Sequence, residues 1–349
     1  MPSKLRIGLV GCGRIAQLIH LRVLAGLPDA ELIALADADP ARLQEAQAQV
    51  RSARSFADYR ELYEHGQAEA AVICLPSQLH AEAAVVAFRR GLHVYVEKPL
   101  ATTLEDGTSV LQSWRSSGRV GMVGFNFRLH PLYQTARTAL QEGRIGLVVG
   151  VVAVFSSAAH VLPAWKHDPR TGGGVLLDLA SHLVDRARFL FEQEVQEVSA
   201  ALRSVRTEAD SASVHLRLAN GILVQGFLSM STIEEDRIEI YGDAGKLAFD
   251  RYRSTGLDVV PPRVWEGRAA RLRRCLAVMG QAPRRSWSQL VPPRDPSFRA
   301  ALEKFVQAVR TGQPTRPDIK DGLRSLGVVL ALEEAARTGQ TVRVASIDP

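Results

Sequence analysis

The apolar run Leu5 to Val10 passes directly into Gly11-Cys12-Gly13-Arg14-Ile15-Ala16, and a helical pattern continues to Gly26. No other stretch restricts the fold as much. Glycines in such a turn let the main chain approach a bound group, and the helix that opens there presents unbonded N–H groups to a pyrophosphate. By itself a Gly-x-Gly-x-x-Ala string is weak evidence. Its weight comes from the strand before it, the helix after it, and Asp37, which ends the next apolar run (Glu31 to Ala36) at the roughly twenty-residue offset of a ribose-binding carboxylate. Such a carboxylate binds the adenosine ribose diol and repels a 2′-phosphate, which favours NAD. Arg42 keeps NADP possible, since an arginine nearby accepts that phosphate. Gly11, Gly13, Arg14, Ile15, Asp37 and Arg42 are the expected cofactor contacts of this unit.

The alternation continues with a helix from Pro40, the run Ala70 to Leu75, a helix to Arg90, the run Leu92 to Val96, a helix over Leu104 to Ser117, and the run Val120 to Phe125. This pattern predicts a doubly wound parallel sheet with helices on both faces, an α/β dinucleotide-binding domain over residues 1–122. After Gly124 the strands lengthen and hairpin signals appear. Asn220-Gly221, between Leu216 to Ala219 and Ile222 to Leu228, predicts a two-residue turn built on positive φ angles. Val148 to Phe155, Val198 to Leu202, Arg237 to Tyr241 and Lys246 to Phe249 add strands, while Ser297 to Arg310 and Gly322 to Arg337 read as closing helices. Residues 123–349 are expected to form an α/β substrate domain with a large, mostly antiparallel open sheet. One flat face of that sheet suits oligomer contact or substrate cover.

A chain of 349 residues, 46% of them hydrophobic, has material for a sizeable core in two domains. No apolar run approaches the ~20 residues of a membrane helix, and Met1-Pro2-Ser3-Lys4-Leu5 lacks a signal-peptide core, so the expected location is cytoplasmic. Cys12, Cys74 and Cys275 form no CxxC pair and read as buried small hydrophobes in a reducing compartment. The nine histidines include no HExxH and no zinc-spaced cluster; no metal is expected, and redox chemistry would rest on an organic cofactor. The net charge of +6 comes mainly from arginine, densest between Arg251 and Arg299. There Trp265, Ala269, Leu272, Leu276 and Met279 trace the stripe of an amphipathic helix whose basic face reads as solvated. Neither nucleic acid nor a membrane is expected as a partner.

Glu97-Lys98-Pro99 closes the strand His93-Val94-Tyr95-Val96. Strand carboxyl ends in such a sheet face the ligand crevice, so a lysine there can polarise a carbonyl or share a proton with a hydroxyl. Pro99 biases Lys98 away from the α conformation. Leu75-Pro76-Ser77-Gln78-Leu79-His80 ends another strand and opens a helix. Ser77 and His80 are expected near the nicotinamide half, with a helix cap and a satisfied helix-face histidine as their plain structural alternatives. Gly172-Gly173-Gly174 precedes a helical pattern in which Asp178 and His182 lie one turn apart on one face, with Asp185 three further along. Polar groups among Leu and Val point to a general base, His182, beside a carboxylate, Asp178, that binds or orients substrate.

Gly11 to Ala16, Asp37, Pro76 to His80, Glu97-Lys98-Pro99, Phe125-Asn126-Phe127-Arg128 with Pro131, Trp165-Lys166, Asp178 to His182 and Ile240 to Gly245 occur in the order seen in the Gfo/Idh/MocA oxidoreductases, which the chain resembles over nearly its whole length. The resemblance implies a Rossmann domain and a C-terminal α/β domain whose open sheet makes homodimers or homotetramers. It also implies a polyol, sugar or sugar-derivative substrate, Lys98, Asp178 and His182 at the catalytic positions, and a cis Lys98-Pro99 bond. Leu75, Pro76, Ser77, His80, Glu97, Lys98, Asn126, Trp165 and Lys166 join the expected cofactor contacts. Asn126, Arg128, His160, Trp165 and His167 are the substrate-facing candidates beside Lys98, Asp178 and His182, with a surface charge or structural pair as the plain alternative for Arg128 and a core aromatic for Trp165. Departures from the family pattern are Ser77 for a frequent asparagine, Ala180 for a glycine and Lys166 for an arginine; none removes a reacting group.

The expected reaction is hydride transfer between nicotinamide and a secondary hydroxyl or ketone. An NAD-dependent glycoside hydrolase of the same fold, which oxidises a sugar transiently, is the alternative enzyme. A non-catalytic dinucleotide-sensing regulator is the alternative of a different class.

Overall fold

The computed structural model describes residues 3–158, Lys166, 173–262 and 295–347. Six strands, β1 (Leu5–Val10), β2 (Ala30–Ala36), β3 (Arg54–Phe56), β4 (Ala70–Ile73), β5 (His93–Val96) and β6 (Gly121–Val123), form one sheet in the order β3-β2-β1-β4-β5-β6. All neighbouring pairs are parallel. β4 is buried at every position, which explains its unbroken apolar run: both faces of the sheet are covered. Strand order reverses between β1 and β4, so the crevice for a ligand lies beyond their carboxyl ends.

A π-helical turn at Ala16–His20 leads into α1 (Leu21–Ala25), followed by α2 (Pro40–Gln49), α3 (Tyr59–His65), α4 (Ser77–Arg89) and α5 (Leu104–Ser117). β3 and α3 are additions to the elements expected from the sequence. β3 has three residues and none fully buried, so it carries no apolar run to detect. α3 buries only Leu62 and Tyr63, below the length at which a helical period stands out.

The second sheet contains β7 (Val148–Ser156), β8 (Val195–Arg203), β9 (Ser211–Leu218), β10 (Leu223–Ser229), β11 (Glu235–Gly242), β12 (Gly245–Asp250), β13 (Asp258–Val260) and β14 (Val342–Arg343). Its order is β13-β12-β11-β7-β10-β9-β8-β14, and it is antiparallel except where β7 pairs with β10. The β9–β10 hairpin differs from expectation in its turn. Gly221 N donates to Leu218 O at 2.9 Å, and Gly221, not Asn220, has the positive φ of +85°. That is a three-residue loop closed by a glycine bulge, with Asn220 in its ordinary backbone region.

Among the described residues four further α-helices follow: α6 (Pro131–Gln141), α7 (Ser181–Phe191) preceded by a second π-helical turn at Leu176–Ala180, α8 (Ser297–Thr311) and α9 (Ile319–Thr338). α7 lies directly on β10, because a Cβ at Gly226 would sit 2.4 Å from Leu183 Cδ2. α8 crosses back to the first sheet, where Leu302, Phe305 and Val306 join Leu9, Leu21, Leu24 and Tyr95 in one core. A second core runs continuously from the other face of that sheet, past α4, α5 and α9, to the inner face of the second sheet. Residues from the two sheets therefore meet in fixed geometry.

Candidate active site

Gly11 has φ +89°, and a Cβ there would lie 2.7 Å from the Cys74 carbonyl, so the turn after β1 closes only with glycine. At Gly13 nothing lies within 4 Å of the corresponding position. The helix that starts beyond it carries no side-chain cap, which leaves its first N–H groups for an external acceptor. Asp37 ends β2 and links it to this turn: Oδ2 accepts from Cys12 N at 2.7 Å, and Oδ1 from Asp39 N at 2.8 Å. Arg42 pairs with Asp39 at 3.3 Å, and no ion pair joins it to Asp37. Arg14 is exposed and Ile15 half-buried. Cys12 and Cys74 are buried, as expected. Burial, and secondarily the Asp37 charge, pushes the Cys12 thiol up to about 12.

At the end of β5 the Lys98-Pro99 bond is cis. Lys98 Nζ donates to the Asp178 carbonyl at 2.8 Å and to Asp178 Oδ1 at 2.6 Å, across 80 residues of sequence. Lys166 Nζ donates to the other carboxylate oxygen at 3.0 Å. Burial alone would raise the Asp178 pKa; the charges of Lys166 and Lys98 outweigh it and hold the carboxyl well below its usual range. Asp178 is thus a fixed anion clamped between two ammonium groups, and its carboxylate accepts no bond from the imidazole of His182. Its carbonyl lies in the second π-helical turn and also accepts from Ser181 Oγ at 3.1 Å. Such turns re-aim main-chain groups and recur at functional sites.

His182, on α7, is buried among aromatic rings. It stacks on Phe127 at 4.5 Å and meets the edges of Phe155 at 5.7 Å and Phe125 at 6.4 Å. Its ring nitrogens have no hydrogen-bond partner among the described residues. Burial, then the charges of Lys98 and Arg186, lower its pKa well below 6.5. The ring is neutral near pH 7, and one nitrogen keeps a lone pair for a proton.

Behind this wall lies a buried charge network that sequence reasoning missed. Arg251 stands 4.2 Å from the Phe127 centroid and Arg186 stands 4.8 Å from that of Phe155. Both bind Asp236, Arg251 through Nε at 2.6 Å and Arg186 through Nη1 at 2.5 Å, and Arg251 also reaches Asp295 at 2.6 Å. The Arg251 side chain, at the start of the arginine-rich stretch, is thus 8% exposed and engaged inside the fold. One signal was present: Arg186 follows His182 by four residues in an apolar helix, and its Nε donates to the His182 carbonyl at 3.1 Å.

Several residues expected at the cofactor or substrate have their side chains engaged inside the fold. Glu97 Oε1 lies 2.7 Å from His20 Nε2, both buried. The His80 ring bridges the Pro99 carbonyl at 2.7 Å and the Leu75 carbonyl at 2.8 Å, joining the loops after β4 and β5. Ser77 is buried but is not the cap of α4; Pro76 holds that position. Asn126 Nδ2 donates to Ser297 Oγ at 2.7 Å. Arg128 is buried against both oxygens of Asp185 at 2.6–3.0 Å and against Asp321 at 3.2 Å, which is the structural pair of its plain alternative reading. His160, Trp165, His167, Gly172, Cys275 and the expected helix at Trp265 to Met279 lie outside the described residues.

The pattern of an "Oxidoreductase family, NAD-binding Rossmann fold" matches residues 5–125, and that of a "GFO/IDH/MocA C-terminal domain" matches residues 133–248. The chain is 26% identical to the myo-inositol 2-dehydrogenase of Thermotoga maritima, over 98% of its own length and 99% of that protein. It is 29% identical to the 1,5-anhydro-D-fructose reductase of Ensifer adhaerens, over 83% and 84% of the two chains. In structure it is similar to the WlbA dehydrogenase of Bordetella pertussis in complex with NADH and UDP-GlcNAcA, with a TM-score of 0.84 and 24% identity over 100% and 99% of the two chains.

Proposed function

Because the chain belongs to the GFO/IDH/MocA family of oxidoreductases with an NAD-binding Rossmann fold, we propose that it is an NAD-dependent dehydrogenase or reductase acting at a secondary hydroxyl or ketone of a polyol, sugar or sugar derivative. The observation that carries this reading is the meeting of Lys98 and Asp178 beside a neutral, unbonded His182. Residues 1–122 hold the cofactor, residues 123–349 hold the substrate, and the reacting groups come from both. The glycine turn with its uncapped helix start fits a pyrophosphate, and Asp37 fits a ribose diol; Arg42, paired to Asp39, gives little support to a 2′-phosphate.

The nicotinamide, when bound, supplies the hydride acceptor or donor. In the oxidising direction a ring nitrogen of His182 takes the hydroxyl proton while the Lys98 ammonium hydrogen-bonds the oxygen as it becomes a carbonyl. Asp178 holds Lys98 and Lys166 in place by its fixed charge. The Phe125, Phe127 and Phe155 rings keep water from the imidazole, and in the reducing direction the same nitrogen returns the proton.

The test is absorbance at the reduced-nicotinamide band with NAD and NADP against polyols, aldoses, uronic acids and amino sugars. On the substrate so found, Lys98→Ala and His182→Ala should each lower turnover by about 10²- to 10⁴-fold with NADH still bound. Full turnover in both variants would remove the assignment. Release of an aglycone without net NADH would instead identify a glycoside hydrolase, and NADH binding with no turnover on any substrate a regulator.

A cytoplasmic location is supported by the free, buried Cys12 and Cys74, and no described helix is long and apolar enough to cross a membrane. Assembly as a homodimer or homotetramer is supported by the outer face of the second sheet, where Leu223, Phe227 and Tyr241 are exposed.

A further inference from the structure

Away from the Lys98–His182 centre, a cavity of about 350 Å³ opens where α6, α7, α8 and α9 meet. Its walls are unusually cationic. Arg128, Arg137, Arg188, Lys304, Arg316 and Arg324 line it together with Glu192, Glu194 and Asp321, while Asp185 pairs with Arg128 from behind the wall and Asp318 lies near Arg316. The carboxylates are already committed: Asp321 to Arg128 and Arg188, Glu194 to Arg188 and Arg324, and Glu192 to Arg137. Lys304 and Arg316 have no ion-pair partner among the described residues. Arg137 Nε is buried there without an acceptor. Lys304 is half-buried and faces Arg128 and Arg137, and burial followed by those two charges lowers its pKa.

Like charges gathered in a concave, half-enclosed space are costly to hold without a counter-charge, and unbonded donors there add to that cost. A phosphate group answers both needs. It brings up to two negative charges and three acceptor oxygens, it suits the planar fork of arginine, and a lysine completes the set as a point charge. The volume falls within the range of small-molecule sites, larger than a bare anion requires.

We infer that this cavity is a second ligand site, distinct from the proposed catalytic centre, which binds a small phosphate-bearing molecule with its phosphate against Lys304, Arg316 and Arg137. Arg128 gives the site a structural link to the first centre, since it binds Asp185 on the helix of His182 and adjoins Phe127, on which His182 stacks.

The experiment is calorimetric titration of inorganic phosphate, and separately of a hexose phosphate, into NADH-saturated enzyme at constant ionic strength, so that the glycine turn is already filled. Saturable one-site binding is expected, weakened about tenfold or more in Lys304→Met and in Arg316→Gln, the loss of one charge-assisted contact. Neither residue belongs to the proposed catalytic machinery, and turnover in the absence of phosphate should stay at the wild-type level. A hexose phosphate that binds more tightly than phosphate identifies an ester as the ligand; equal affinity identifies the free ion. Absence of saturable binding, or binding unchanged in both variants, overturns the inference.

Discussion

In the proposed reaction the basicity of His182 is set by what surrounds it rather than by a hydrogen-bonded partner. Aromatic burial and the neighbouring cations lower its pKa well below 6.5, so kcat/KM for the oxidation should run level through pH 6.5 and fall only at distinctly lower pH. An acid limb centred at or above 6.5 in a pH–rate profile would mean that this imidazole is not the base. Stability follows the same sign. On acidification the unfolded chain takes up the proton first, so the stability gained by keeping His182 neutral is complete above pH 6.5 and is lost as the pH falls below it. At this scale Lys98, Asp178 and His182 stood out as polar side chains in apolar runs, and the structure brings Lys98 and Asp178 into contact. The same cue marks Glu97, His80, Asn126 and Arg128, whose side chains have partners within the fold. A buried group satisfied by His20, by two carbonyls, by Ser297 or by Asp185 looks identical in one dimension to a group waiting for a ligand, and only the position of its partner separates the two.

Among elements, α7 carries His182 and depends on the surface beneath it. Gly226 lets Leu183 rest on β10, and a methyl group there would also lie 2.9 Å from Val214 Cγ2. Gly226→Ala should destabilise the protein by about 1–3 kcal/mol in urea unfolding, and it should lower kcat by lifting α7 while leaving NADH affinity intact. Unchanged stability and unchanged kcat would show that the helix does not bear on that strand. The long periodic elements were readable from sequence, as was the parallel sheet. Short ones were not: β3 has no buried run, and the hairpin loop depends on which of Asn220 and Gly221 takes the positive φ, a choice the dipeptide alone leaves open. The two π-helical turns left no mark either, since a single wide turn does not disturb an apolar pattern by more than one position.

For the whole molecule, the proposed assembly surface is the outer face of the second sheet. Phe227 and Leu223 on β10 and Tyr241 on β11 present an apolar strip, flanked by the Arg237–Glu239–Lys246 charge ladder. Sedimentation should find a dimer or tetramer, and Phe227→Glu should shift it toward monomer while NADH binding persists; a wild-type monomer, or a variant that assembles normally, would assign the face elsewhere. Segregation into a parallel sheet and a mostly antiparallel one was visible in the change of strand pattern, whereas the return of α8 to the first sheet was not, because an amphipathic helix does not announce which surface it covers. That return makes the second-sheet half an insertion rather than an appendage. The polypeptide leaves the nucleotide-binding core, builds a second sheet, and comes back to seal the first, so the two halves cannot come apart like beads on a string. Loosening either one strips cover from the other, and the joint at which Lys98 meets Asp178 is held shut by the integrity of the whole chain.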